Sequence, residues 1–158
     1  MKQKVFSFRD KFSVKDESGN DRYSIDGKVA PLLTGKKLTV HDSGGNAVAI
    51  VQEKPKGFSM LRFTVEINGR EVCAVIQKFS LFRQKYSIEG LPWQLDGDFI
   101  EHEYELLNGS QKIMQLTKKL ISWGDSYELD ISDPKNELPC LCIALAVDCA
   151  LSVRDRNR

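Results

Sequence analysis

Apolar and polar residues alternate in short runs along most of the chain, and the runs are separated by turn-forming clusters. Phe63-Thr-Val-Glu-Ile67 and Glu71-Val-Cys-Ala-Val-Ile76 flank Asn68-Gly69. Glu103-Tyr-Glu-Leu-Leu107 and Lys112-Ile-Met-Gln-Leu116 flank Asn108-Gly109. Asn and Gly accept the positive φ that tight hairpin turns need, so both stretches read as β-hairpins. Ser18-Gly19-Asn20, Ser43-Gly44-Gly45-Asn46 and Asp133-Pro134 mark further turns, and Asp16-Glu-Ser-Gly-Asn-Asp21 reads as a hairpin connection. The spacing predicts about eleven or twelve strands in an all-β sandwich or barrel.

The first strands recur. Gln3 to Val14 aligns without a gap on Gln77 to Ile88: Gln3, Lys4, Phe8, Arg9, Lys11 and Ser13 return as Gln77, Lys78, Phe82, Arg83, Lys85 and Ser87. A looser third copy runs from Lys118 to Leu129. Two related halves in a chain of 158 residues point to one closed structure with a shared core over residues 1–158. Strand alternation groups Phe6, Phe8, Phe12 and Val14 on one face and Ser7, Arg9, Lys11, Ser13 and Lys15 on the other, unless a bend near Asp10 breaks the alternation.

The pattern changes after about residue 132. From Leu138 to Val153, Ala and Leu dominate, Pro139 suits a first turn, Asp133 or Asn136 stands ready to cap, and arginines follow at the end. This predicts a helix over 138–153 that is apolar on every face, with Asp148 its only charge. Such a helix is either a membrane span or fully buried. At about 16 residues it falls short of the ~20 a bilayer requires, so burial is expected, with no transmembrane span. A barrel over about residues 3–132, wrapped around this central helix, satisfies both halves of the pattern.

These residues resemble the LURP-one-related family, which sits with tubby C-terminal-like domains and phospholipid scramblases. The likeness is carried by Phe6-Ser-Phe-Arg-Asp-Lys-Phe-Ser-Val-Lys-Asp16, by Tyr86-Ser-Ile-Glu-Gly90 with Trp93 and Gly97-Asp-Phe99, and by the stretch from Lys118 to Ile131. It covers nearly the whole chain. The resemblance implies a mainly β fold, a twelve-stranded closed antiparallel barrel around a central apolar C-terminal helix. It also implies binding more than catalysis, because tubby-type members bind phosphoinositide headgroups through basic side chains.

Composition narrows the chemistry. The net charge of +1 gives no overall reason to expect nucleic acid. The charge is uneven, however: residues 1–79 hold 14 Lys/Arg against 9 Asp/Glu, and residues 80–158 hold 9 against 13. Cys73, Cys140, Cys142 and Cys149 lack both a disulfide spacing and a zinc-ligand set, and Met1–Arg9 lacks an apolar leader core, so a cytoplasmic protein with free thiols is expected. Neither His41 nor His102 stands in a catalytic motif, and Asp96, Asp98, Glu101, Glu103 and Glu105 lack the pattern of a calcium loop. No catalytic residue, metal or cofactor is assigned.

What remains is a basic set, Arg9 and Lys11 with their copies Arg83 and Lys85, extended by Lys118 and Lys119, suited to phosphate-bearing groups. Asp148 is a separate candidate, a charge that needs a partner at the helix–barrel junction. Three functions follow in order: a non-enzymatic module for anionic phospholipid or phosphoinositide headgroups at a membrane surface; a protein-interaction scaffold or stress-related accessory protein; and an enzyme with a pocket at the barrel mouth.

Overall fold

The computed structural model describes residues 1–8, 11–29, 35–56, 60–79, 84–121 and 124–156. Twelve strands form one sheet: β1 (Lys2–Phe8), β2 (Lys11–Lys15), β3 (Asp21–Val29), β4 (Lys36–Asp42), β5 (Ala47–Lys56), β6 (Met60–Ile67), β7 (Arg70–Phe79), β8 (Gln84–Glu89), β9 (Gln94–Asp98), β10 (Glu103–Asn108), β11 (Gln111–Ile121) and β12 (Gly124–Ile131). Their order is β8-β7-β6-β5-β4-β3-β2-β1-β12-β11-β10-β9, with every junction antiparallel. The expected barrel is therefore present but nearly closed: β8 and β9 end the order side by side without a ladder between them.

The turns follow the chemistry of their residues. Asn68 (φ 50°) and Gly69 (φ 79°) both take left-handed backbone, the geometry of a two-residue hairpin turn whose twist matches its strands. Asp16 and Asp42 build two equivalent turns. Asp16 Oδ1 accepts the backbone N–H groups of Ser18 and Asn20, each at 2.9 Å, and Asp42 Oδ1 accepts those of Gly44 and Asn46, each at 2.9 Å. These N–H bonds hold both exposed carboxyls below their ordinary pKa.

The repeated hairpins show why simple alternation fails across a turn. The register pairs Val5 with Val14 in one half and Gln77 with Tyr86 in the other, odd against even each time. Partners in register share a face, so the inward set switches parity: Gln3 and Val5 on β1, then Phe12 and Val14 on β2. One parity therefore does not run inward from β1 through β2; the side chains of Phe6 and Phe8, and Asp10, lie outside the described residues.

After β12, Asp133 accepts the N–H of Lys135 at 3.0 Å and caps a 3-10 turn over Pro134–Asn136, which leads into the helix α1 (Glu137–Arg156). The helix is longer than the sequence suggests at both ends. It packs against β5, β6 and β7 on one side and β11 and β12 on the other, so it runs between opposite walls. Every residue from Cys140 to Val147 is buried, as are Cys149 and Ala150. Leu141 and Leu145 share one face of the helix and Ile143 and Val147 the opposite one, all four buried, each contributing about 1.5–3 kcal/mol of hydrophobic stabilisation. Among the described residues, no helix is long and apolar enough to cross a membrane.

One polar cluster ties α1 to the wall. Glu137, 7% exposed, accepts Nε of Arg22 at 3.1 Å and Nη2 at 2.8 Å and 2.7 Å on its two oxygens, and it also accepts Nε2 of the buried Gln3. The repeated glutamine of the second half, Gln77, donates to the Tyr86 hydroxyl at 2.9 Å. The sequence marked this glutamine pair as a repeat but did not reveal that both lie inside.

Candidate functional site

The sheet order disperses the basic residues that the sequence grouped together. Arg9 and Arg83 lie outside the described residues, and Lys11 is described only as the first residue of β2. Lys85 stands on β8, six strands from β2 in the order, so the two copies of the motif occupy opposite walls. Lys118 and Lys119 also separate. Lys118 is in register with Tyr127, which pairs through β1 with Val5 and thence Val14, all three buried. Lys118 therefore belongs to the inward row, half-buried, while Lys119 is exposed on the outer face. The expectation that both lysines extend one outer patch is corrected by strand geometry, since successive residues point to opposite faces.

The register brings other lysines together. Lys78 on β7 and Lys85 on β8 stand directly opposite each other, both exposed. Side chains so placed have Cβ atoms roughly 4.5–5.5 Å apart, and like charges there are destabilising. Two residues along the outer face, Lys54 on β5 is exposed opposite Arg62 on β6. Arg62 is engaged by Glu89 and, at 3.5 Å, by Glu71. Among the described residues, no carboxylate pairs with Lys54, Lys78 or Lys85.

The related half is arranged differently. Lys4, the copy of Lys78, is in register with Glu128 on one side and Lys15 on the other; Lys15 is bound to Asp21 at 2.6 Å, and Glu128 lies 3.8 Å from Lys2. Carboxylates thus stand among the lysines of that wall. The repeat contained the signal for Lys78, but only the β7–β8 register shows that it faces Lys85.

A second place with convergent polar groups lies at the other side of the helix. Asp148 lines a cavity with His102, Tyr104, Tyr127, Leu141 and Leu145. His102 sits in the β9–β10 connection at φ 55°, with its ring 5.1 Å from that of Tyr127, and burial together with Asp148 pushes the Tyr104 hydroxyl well above its ordinary pKa. The cavity measures about 20 Å³, room for about one water molecule. The remaining acidic candidates form an outer ladder, Glu103 opposite Asp98 and Glu105 opposite Asp96, with Lys112 bound to Glu105 at 2.8 Å.

All four cysteines are free and buried. Burial pushes the Cys73 thiol up to about 11 and Cys140 up to about 12, and holds Cys142 higher still. A thiol reacts as its thiolate, so these groups are protonated and inert at neutral pH. Ellman's reagent at pH 8 is expected to label none of the four within minutes in native protein and all four in denaturant. Rapid labelling of any native thiol would contradict this picture and revive a nucleophilic role.

A nearly closed twelve-stranded antiparallel barrel wound on a buried C-terminal helix defines the class. The chain matches the LURP-one-related family model over residues 1–148 and belongs to that family. It is 35% identical over 151 residues to the uncharacterised protein YxjI of Bacillus subtilis (strain 168), covering 96% of this chain and 91% of the relative. A protein of Arabidopsis thaliana with a known X-ray structure shares the fold at a TM-score of 0.62 and 14% identity, covering 99% of this chain and 91% of that one.

Proposed function

We propose that the domain is a non-enzymatic module that binds phosphate-bearing anionic groups, in the first instance phospholipid headgroups at a membrane surface, through the outer lysine wall of β5, β7 and β8. One observation carries this reading: Lys78 and Lys85 are held opposite each other, exposed, and among the described residues no carboxylate pairs with either. Keeping two ammonium groups adjacent costs stability, and an anion bridging them would recover it. Lysine donates up to three hydrogen bonds to phosphate oxygens and needs no fixed fork to do so. The Asp148 cavity, with room for about one water, does not compete with this wall as a ligand site.

Flotation with vesicles of neutral phospholipid, alone and with an anionic phospholipid added, tests the reading. Binding is expected only with the anionic lipid and is expected to weaken with added salt. Each lysine near such a surface contributes about 1 kcal/mol, so Lys78→Glu with Lys85→Glu should lower the bound fraction by about tenfold or more. Binding that ignores lipid charge, or that survives the double reversal unchanged, would rule out this wall.

A further inference from the structure

An antiparallel barrel closes when its last strand bonds its first, and this one stops short. Eleven junctions carry register pairs; the twelfth, between β8 and β9, carries none among the described residues. The two strands are consecutive, joined by residues 90–93, and flank a groove of about 860 Å³ lined by Lys85, Tyr86, Ile88, Leu91, Trp93 and Leu95. That lies within the roughly 300–1,000 Å³ of ordinary ligand clefts. On the inner side, the rings of Tyr86 and Phe99 meet at 4.6 Å and those of Phe99 and Tyr104 at 5.2 Å. Tilted ring contacts, not a backbone ladder, therefore floor the seam. Gly97 belongs to this arrangement: at φ 136°, a side chain there would meet the Glu103 carbonyl at 2.6 Å, so β9 lies tightly against β10.

A sheet edge presents backbone donors and acceptors that template an added strand. Here two such edges face each other across one groove. We propose that the seam accepts an extended segment of another protein as a thirteenth strand, completing the barrel wall. The lining specifies that segment. Ile88 is in register with the buried Val75, and Leu95 with the buried Leu106, so the inner side of the groove is apolar. The outer rim is Lys85, Ser87 and Glu89 on β8, with Glu89 engaged by Arg62, and Gln94, Asp96 and Asp98 on β9, so among the described residues Lys85 is the unpaired cation of one bank and Asp96 and Asp98 are the carboxylates of the other. The matching strand alternates apolar residues inward with charged residues of both signs outward. Because β8 and β9 run antiparallel to each other, the inserted strand is antiparallel to one and parallel to the other, the single parallel junction of the wall. Its bonds there are evenly spaced and slanted. This proposal goes beyond the anion reading and shares only Lys85 with it.

The test uses the full chain and a synthetic octapeptide alternating valine with glutamate and lysine. Amide hydrogen exchange is followed across residues 84–89 and 94–98. Peptide at millimolar concentration is expected to slow exchange in both segments by about tenfold, while a version N-methylated at alternate residues, which cannot form a ladder, leaves both unchanged. A Ser87→Cys/Asp96→Cys variant, bridged across the seam by a flexible bis-maleimide because a strand-wide gap is too broad for a disulfide, should lose the protection yet still float with anionic vesicles, which separates failure of this proposal from failure of the lipid reading. Absence of protection in the unmodified chain, equal protection by the N-methylated peptide, or full protection in the cross-linked variant would each overturn the thirteenth strand.

Discussion

A chain ending at Ser132 is expected to lose cooperative folding altogether. It keeps all twelve strands but lacks the body they wrap, since the buried helical residues Cys140–Val147, Cys149 and Ala150 supply the centre of the core. Without them, the inward faces of β5, β6 and β7 on one wall and of β11 and β12 on the other have no partner. Phe63, Val65, Leu116 and Leu129 would either face water or collapse onto one another in many arrangements. The measurement is a urea titration by circular dichroism together with an amide NMR spectrum; a broad, shallow transition and poorly dispersed peaks are expected. Single substitutions grade the same effect in the full chain. Leu141→Ala and Ile143→Ala, both at sites with no solvent exposure, should each cost about 2–5 kcal/mol. A truncated chain with a sharp transition and dispersed peaks would remove the helix from its central role.

The second large effect is expected at Glu137. Glu137→Ala deletes the carboxylate that receives Arg22 and Gln3, leaving a buried amide donor and a guanidinium without their acceptor. Breaking one side of a fully buried pair costs about 3–5 kcal/mol, and Arg22 is 40% exposed, so about 2–3 kcal/mol is expected here. Arg22→Ala should cost less, because Gln3 still bonds the carboxylate and water reaches it from the vacated side. Chemical denaturation of the two variants at one pH gives both numbers. Equal losses, or a Glu137→Ala loss below about 0.5 kcal/mol, would show that the contact does not anchor the helix.

Much of the fold was legible because local chemistry and global architecture agree. The Asp-x-x-Gly-Asn turns after Lys15 and His41 and the Asn68-Gly69 hairpin announce strand ends directly. An all-round apolar helix too short for a bilayer has few places to go but inside a barrel. The candidate site was less legible, because it depends on register. Lys78 and Lys85 are seven residues apart, and whether they meet depends on how residues 80–83 connect their strands, which the alternating pattern does not specify. The same blindness grouped Lys118 with Lys119, although one lies on the inner row and the other outside. It also put Lys11 and Lys85 together on grounds of repetition, when duplication followed by closure sends the copies to opposite walls. Repeats reveal kinship between segments, and in a barrel kinship implies distance.

The pairing of β1 with β12 and the position of α1 after all twelve strands have a bearing on how the molecule comes into being. Lys2 finds its neighbour Asp130 only after the ten intervening strands have been made, and the helix at the centre of the core is synthesised after every strand that packs on it. A nascent chain of this kind carries meanders with one oily side and nothing to cover it. Long-range closure of that sort is slow and exposed to aggregation. Biogenesis, more than the finished molecule, is where a cell has to shield this protein.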